Sequence, residues 1–327
     1  MVPLLRVLRG AAFRAVMAPG RAWDRFFFAD VDARRLAALR IGTGLFAFLT
    51  LLGLAPLTDL HYSDAGWLPT TWALTRPFGQ GFTLLHAFTS PLGVRFFLGI
   101  SMAAALAMML GFHARAASWA TFLALVSFQQ RNVLLNSGGD TVLRLLAFGV
   151  ALGPSGRAWS LDSWRARFRG RAVLTPATTP VWPIRLIQLQ IAVLYLFSGF
   201  GKLHGRTWHD GSALAIVLTH PSFSRFDISR LATWAPVALA LRTMTKLTLV
   251  WELAFPLLVC SRIGRWAALG IGAAVHLGII AFMRINWFGH IMLMSYLAFL
   301  PVEELGPRGL RLWRGGRAWL ERRRASM

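Results

Sequence analysis

The sequence predicts an all-α fold: a polytopic membrane bundle of about eight transmembrane helices, with further helices lying in the interface. Three observations predict it. Of 327 residues, 56% are hydrophobic and 14 are Trp, and the mean hydropathy is +0.53. The formal net charge is nonetheless +22. A soluble protein so apolar has little surface left for that much charge of one sign, whereas a membrane protein places apolar spans in lipid and arginines in loops. Third, the arginines gather in alternate loops once the spans are marked.

The spans run near 37–56, 93–112, 116–135, 141–156, 184–201, 243–260, 266–283 and 288–302. The fourth and eighth fall short of the roughly 20 residues of a perpendicular helix, so seven or nine spans are the alternatives. Around them, residues 1–29 form a basic amphipathic arm, 30–302 the transmembrane domain and 303–327 a basic tail. In the arm, Arg6, Arg9 and Arg14 interrupt the apolar residues, which argues against a cleavable signal peptide and for a helix in the interface. The tail around Leu310, Trp313 and Trp319 reads the same way, as an anchor to anionic lipid.

With eight spans, the arginines of the arm, the 157–171 loop, the 261–265 turn and the tail share one face. That face is expected to be the cytoplasm, with both termini on it, in a bacterial inner membrane. Membrane lipids are then the expected partners and explain the positive charge, so nucleic acid is not expected. The single cysteine, Cys260, excludes an intramolecular disulfide and a Cys-based zinc site.

Only two of the 35 basic residues are lysines, Lys202 and Lys246. Lys202 closes the run Leu196-Phe197-Ser198-Gly199-Phe200-Gly201-Lys202-Leu203. A desolvated lysine can lose its proton and a guanidinium effectively cannot, so Lys202 is the candidate base. Codon drift is the competing reading of so small a count.

Polar groups at span ends are costly and ask for a reason. On this topology the outer ends hold His61, Tyr62 and Asp64, then Asn136 and Asp140, then His204, His209 and Asp210 beside Lys202, and finally Asn286 and His290. Together they predict a pocket that opens outward, with Lys202 catalytic. Its substrate-binding candidates are His204, His209, Asp210, Asn136, Asp140, His61, Asn286 and His290. The competing reading is that span ends are polar in any bundle. Arg40, Arg131, Arg144 and Glu252 lie deeper and are expected to pair with one another or with backbone carbonyls. Lys246 lies six residues from Glu252, on a different helix face. Residues 213–218 and 231–241 are expected as interfacial helices over the bundle mouth. No H-E-x-x-H, G-x-S-x-G or Walker pattern occurs, so no metal is expected. An inverted repeat is also missing, which leaves a transporter unsupported.

The stretch Gln188-Leu189-Gln190 through Tyr195 to Gly199, then Lys202-Leu203, Trp208 and Asp210-Gly211-Ser212-Ala213-Leu214, resembles the horizontally transferred transmembrane (HTTM) domain. This is the membrane domain of vitamin K-dependent gamma-carboxylases and their bacterial relatives. His61-Tyr62 with Gly66-Trp67-Leu68-Pro69, residues 136–140, Trp159 to Asp162, His276 and residues 286–296 support the match. Trp159 to Asp162 fall on the cytoplasmic side and read as structural.

The resemblance implies that Lys202 deprotonates a vitamin K or menaquinone hydroquinone. Oxygen then turns the anion into an epoxide, and a glutamate γ-carbanion formed on the way captures carbon dioxide. Two functions follow as expectations. One is a gamma-carboxylase-like, quinone-epoxidising lyase acting on a small acceptor, with His204, His209, Asp210 or Asp140 orienting the quinone. The other is a non-catalytic membrane module for maturation of, or tolerance to, a secreted peptide, in which Lys202 pairs with Asp210 or a lipid phosphate. The chain ends 25 residues after the last predicted span, without the long extramembrane region of animal carboxylases, which suits the second expectation.

Overall fold

A computed structural model describes residues 20, 23–75, 81–170 and 177–300. Among them, every predicted span contains a helix. These are α1 (Arg34–Leu54), α2 (Pro91–Leu110), α3 (Ala114–Arg131), α4 (Gly138–Leu152), α5 (Trp182–Leu203), α6 (Ala235–Leu258), α7 (Arg262–Phe282) and α8 (Phe288–Ser295). The last tightens into a 3-10 turn at Tyr296–Phe299. The arm as far as residue 19 and everything after residue 300, including the basic tail, lie outside the described residues.

Among the described residues, four helices are long and apolar enough to cross a membrane: α1 with its continuation to Tyr62, α2, α5 and α7. Length and composition thus support four crossings, fewer than the eight spans predicted. The reason is local. Helices α4 and α8 have 15 and 8 residues, α6 carries Arg242, Lys246 and Glu252, and α3 holds Arg115, Gln129, Gln130 and Arg131.

Helix ends follow from capping chemistry. Ser90 accepts from the N–H of Gly93 and Pro91 sits in the first turn, where its missing N–H costs nothing. Residues 136–140, expected as a loop, instead begin α4: Ser137 and Asp140 form a capping box that satisfies orphan N–H groups in both directions. Helix α6 starts at Ala235 rather than near 243, absorbing much of the apolar stretch expected as an interfacial helix. A helix does form over Ala213–Thr219, where the other was expected. One feature was not anticipated, a two-stranded antiparallel ribbon. It pairs β1 (Asp30–Asp32) with β2 (Thr178–Pro180) and ties the start of α1 to the start of α5.

Helix α1 is central and packs most extensively on α2, with α4 and α8 on its other sides. Gly44 allows the first contact. A Cβ there would lie 2.6 Å from the backbone nitrogen of Met109. Backbone cannot step aside as a side chain can, so the small residue sets the helix separation. Gly44→Val is therefore expected to lower stability by about 1–3 kcal/mol, the usual cost of overpacking, read as a fall in the thermal midpoint in detergent. An unchanged midpoint would show that the two helices can part freely.

Arg40 is fully buried on α1 and reaches the carbonyls of Ser155, Ala158 and Trp159 just after α4. Asp162 accepts from the N–H groups of His113 (2.9 Å) and Ala114 (2.7 Å), capping α3. The Trp159 to Asp162 stretch thus does the structural work the sequence assigned it. The remaining helices close the bundle: α5 lies along α6, α6 on α7, α7 on α8, and α8 returns to α4. Leu36, Leu39, Leu143, Leu146 and Ile184 fill the centre, each with no exposed surface.

Candidate functional site

Tyr195, Ser198, Gly199 and Lys202 are spaced to fall on one face of α5. That face meets α6. Gly199 permits the approach, because a Cβ there would sit 2.8 Å from Leu253 Cδ2 and 3.3 Å from its backbone nitrogen. At that separation Lys202 Nζ donates to both oxygens of Glu252, at 2.7 and 2.6 Å, and to Ser198 Oγ at 2.7 Å. An ammonium has three N–H bonds, so all three are used. The side chains of Lys202 and Glu252 are 21% and 9% exposed, and the Trp208 ring lies 5.0 Å from Nζ. Lys202 is the penultimate residue of α5, whereas Glu252 lies six residues before the end of α6, so the pair ties a helix end to the body of its neighbour.

Two turns back along the same face is a second polar group. Tyr195 Oη lies 2.8 Å from His276 Nε2 on α7 and 2.6 Å from Tyr296 Oη after α8. Two of the three tyrosines in the chain meet here. Trp251 and Phe255 of α6 pack on the Tyr195 ring, and Trp251 Nε1 donates to the Ala268 carbonyl at 3.0 Å. Tyr195 has one proton for its two bonds, so it donates to one neighbour and accepts from the other. His276 Nδ1 is buried without a hydrogen-bond partner among the described residues.

Among the described residues, the predicted site residues make separate local contacts. His204 Nδ1 turns back to the Phe200 carbonyl and His209 Nε2 to the Leu203 carbonyl, at 2.9 and 2.5 Å. Asp210 accepts from the N–H of Ser212, and that bond holds its carboxyl below the usual range. It is exposed and makes no ion pair with Lys202; Glu252 takes that place.

Asn136 and Asp140 sit elsewhere, around a small cavity of about 50 Å³ that Tyr62, Gln129 and Phe128 also line. Asn136 donates to the Gln129 carbonyl, and Gln129 to the Asp140 carbonyl, so these groups support one another. His61 is near this cluster, its carbonyl bonded by Asn132. His290 packs between Phe46 and Trp287, and Asn286 is exposed. Of the deeper charges, Arg131 donates to the Leu68 carbonyl and stands 3.6 Å from Asp64. Burial works against the Asp64 charge, but the Thr70 hydrogen bond and Arg131 outweigh it and hold the carboxyl low. No group of His, Cys, Asp or Glu among the described residues could hold a metal ion.

The family model described as HTTM domain matches residues 28–303. This chain belongs to the HTTM domain family. Among the described residues of this HTTM domain, four helices are long and apolar enough to cross a membrane, and the chain is accordingly a membrane protein of that family. No curated protein and no solved structure matches it.

In this HTTM domain, sequence reasoning singled out Lys202 and Glu252 separately and missed that they meet. Their 50-residue separation carries no local signal. Tyr195, Ser198, His276 and Tyr296 were not named as site residues. A signal for the α5 members existed, since Tyr195, Ser198, Gly199 and Lys202 share a helical stripe that also meets the small-residue rule for close packing.

Proposed function

We propose that this HTTM domain is a membrane enzyme in which Lys202 and Glu252 act as one proton-transfer pair on the hydroxyl of a lipophilic hydroquinone. A single observation carries the reading: one of only two lysines in an arginine-rich chain is held by a largely buried carboxylate at the end of an apolar helix. A hydroquinone would supply an acidic phenolic O–H and, with oxygen, the oxidising power for epoxide formation. The donor set suits such a ligand, because an amine, a carboxylate and the Trp208 ring stand together.

The chain's own part is to hold and move a proton. In the proposed step one Nζ proton passes to Glu252, which converts the ion pair to an amine and a carboxylic acid. The Lys202 amine can then accept the substrate proton, and the net acceptor is Glu252. Ser198 is the neutral hold on Nζ and therefore the partner a substrate hydroxyl displaces most readily. On this reading Lys202 faces the outer side of the membrane and both termini lie in the cytoplasm, as the loop arginines indicate. The crossings number about eight if α3, α4, α6 and α8 span together with the four longer helices.

The test supplies membranes containing the protein with reduced menaquinone, oxygen and labelled bicarbonate, and looks for quinone epoxide by mass spectrometry. Epoxide present with the wild type and absent with Lys202→Ala is the expected result. Equal amounts from both would refute the proposal.

A second reading has its own observation. All three Nζ donors are occupied, as in a purely structural pin between helices. It corresponds to a non-catalytic module that serves maturation of, or tolerance to, a secreted peptide.

A further inference from the structure

The short helix Leu161–Phe168 has two faces with different needs. Leu161, Trp164 and Phe168 share one, and they are 38%, 56% and 73% exposed. The neighbouring face presents Asp162, Arg165 and Arg169 to a cleft of about 240 Å³, whose far wall is His113. Arg165 and Arg169 are one turn apart, a spacing at which like charges repel. Arg165 is held in place by the Phe112 ring, 4.6 Å from its guanidinium carbon. The only carboxylate lining the cleft, Asp162, is already engaged by the N–H groups of His113 and Ala114. Neither guanidinium has an acidic partner among the described residues.

His113 is not free to swing away. Its backbone is left-handed, at φ 44°, and the Asp162 bond pins it there beside Gly111 at φ 69°. Among the described residues, the cleft is therefore a preformed wall whose two arginines lack an acidic partner. Beside it, on the same eight-residue helix, stands an aromatic face that lacks its apolar cover. Water can hydrate the guanidiniums but cannot cover the aromatic face. A lipid satisfies both, since its headgroup phosphate is a bidentate acceptor for arginine and its glycerol and acyl region accept Trp and Phe.

We propose that this cleft is a binding site for the phosphate of an anionic phospholipid, with Arg165 and Arg169 as its ligands, His113 closing the far wall, and Trp164 and Phe168 seated in the adjoining acyl region. A free phosphate would use the two arginines alone.

The experiment places the full chain in phosphatidylcholine nanodiscs that contain phosphatidylglycerol with a photoactivatable headgroup, and maps crosslinks by peptide. Crosslinks should appear on residues 161–169. Near an anionic surface each cation is worth about fivefold, so Arg165→Gln/Arg169→Gln should reduce their yield by about 30-fold. Arg230→Gln/Arg284→Gln, the same charge loss elsewhere, should leave the yield unchanged. Trp164→Ser/Phe168→Ser should reduce it as well. The proposal is overturned if the two charge-loss variants behave alike. It is also overturned if the aromatic variant matches wild type, or if millimolar inorganic phosphate abolishes the crosslink, either of which would identify a free anion as the occupant.

Discussion

Glu252→Leu alone is expected to destabilise the protein by about 3 kcal/mol, the low end for breaking a buried pair because Lys202 retains some exposure. The variant leaves an ammonium facing the Trp208 ring and the new side chain, with only Ser198 as a neutral partner. The double variant Lys202→Met/Glu252→Leu should recover most of that loss, since two apolar side chains of similar volume remove both desolvation costs at once. Thermal unfolding in detergent micelles of the wild type, the two single variants and the double variant forms the cycle that isolates the coupling. If the double variant loses as much as the sum of the singles, the two residues are energetically independent and the pair does not hold α5 to α6.

Lys202→Arg should separate the two roles of that residue. A guanidinium can still bond Glu252, so the thermal midpoint should stay close to wild type. It cannot serve as an amine, because it does not lose its proton in proteins. Epoxide formation that depends on Lys202 should therefore fall by about 10²–10⁴-fold, the usual contribution of a positioned base. The comparison with Glu252→Gln is informative. An amide keeps the shape of the carboxyl group but cannot take the proton, so in a proton-transfer pair the Glu252→Gln variant should be as inactive as Lys202→Arg. Full activity in Lys202→Arg together with a normal midpoint would leave the structural pin as the role of the pair.

The helical architecture was legible because each helix declares itself over its own length. Apolar runs, Ser-Pro at the start of α2 and Ser-x-x-Asp before α4 are local signals with local physical causes. Where reading the sequence erred, either a local signal was overlooked or the deciding partner lay far along the chain. Gly138 and Gly139 look like a loop until the capping box is noticed. The start of α6 looks interfacial because Arg242 and Lys246 lower its hydropathy, although the helix runs unbroken from Ala235. The β1–β2 ribbon joins segments about 150 residues apart, and three-residue strands have no period to detect.

The candidate site shows the same division. That Lys202 is unusual was readable from its rarity, and the resemblance of the chain to the HTTM domain was readable too, which the family match bears out. The partner of Lys202 was not. His204, His209 and Asp210 are close to Lys202 in sequence, yet each satisfies itself on backbone within six residues. Glu252 and the Tyr195, His276 and Tyr296 cluster come from helices far apart in the chain.

By itself, then, the sequence determined the class of protein, the order of its helices and the unusual lysine, because hydropathy, capping and residue rarity are properties of short stretches of chain. Only the tertiary structure decided which carboxylate meets that lysine and which polar groups stay apart. Such pairings depend on how closely two helices approach, and here a missing Cβ at Gly199 lets α5 settle against α6.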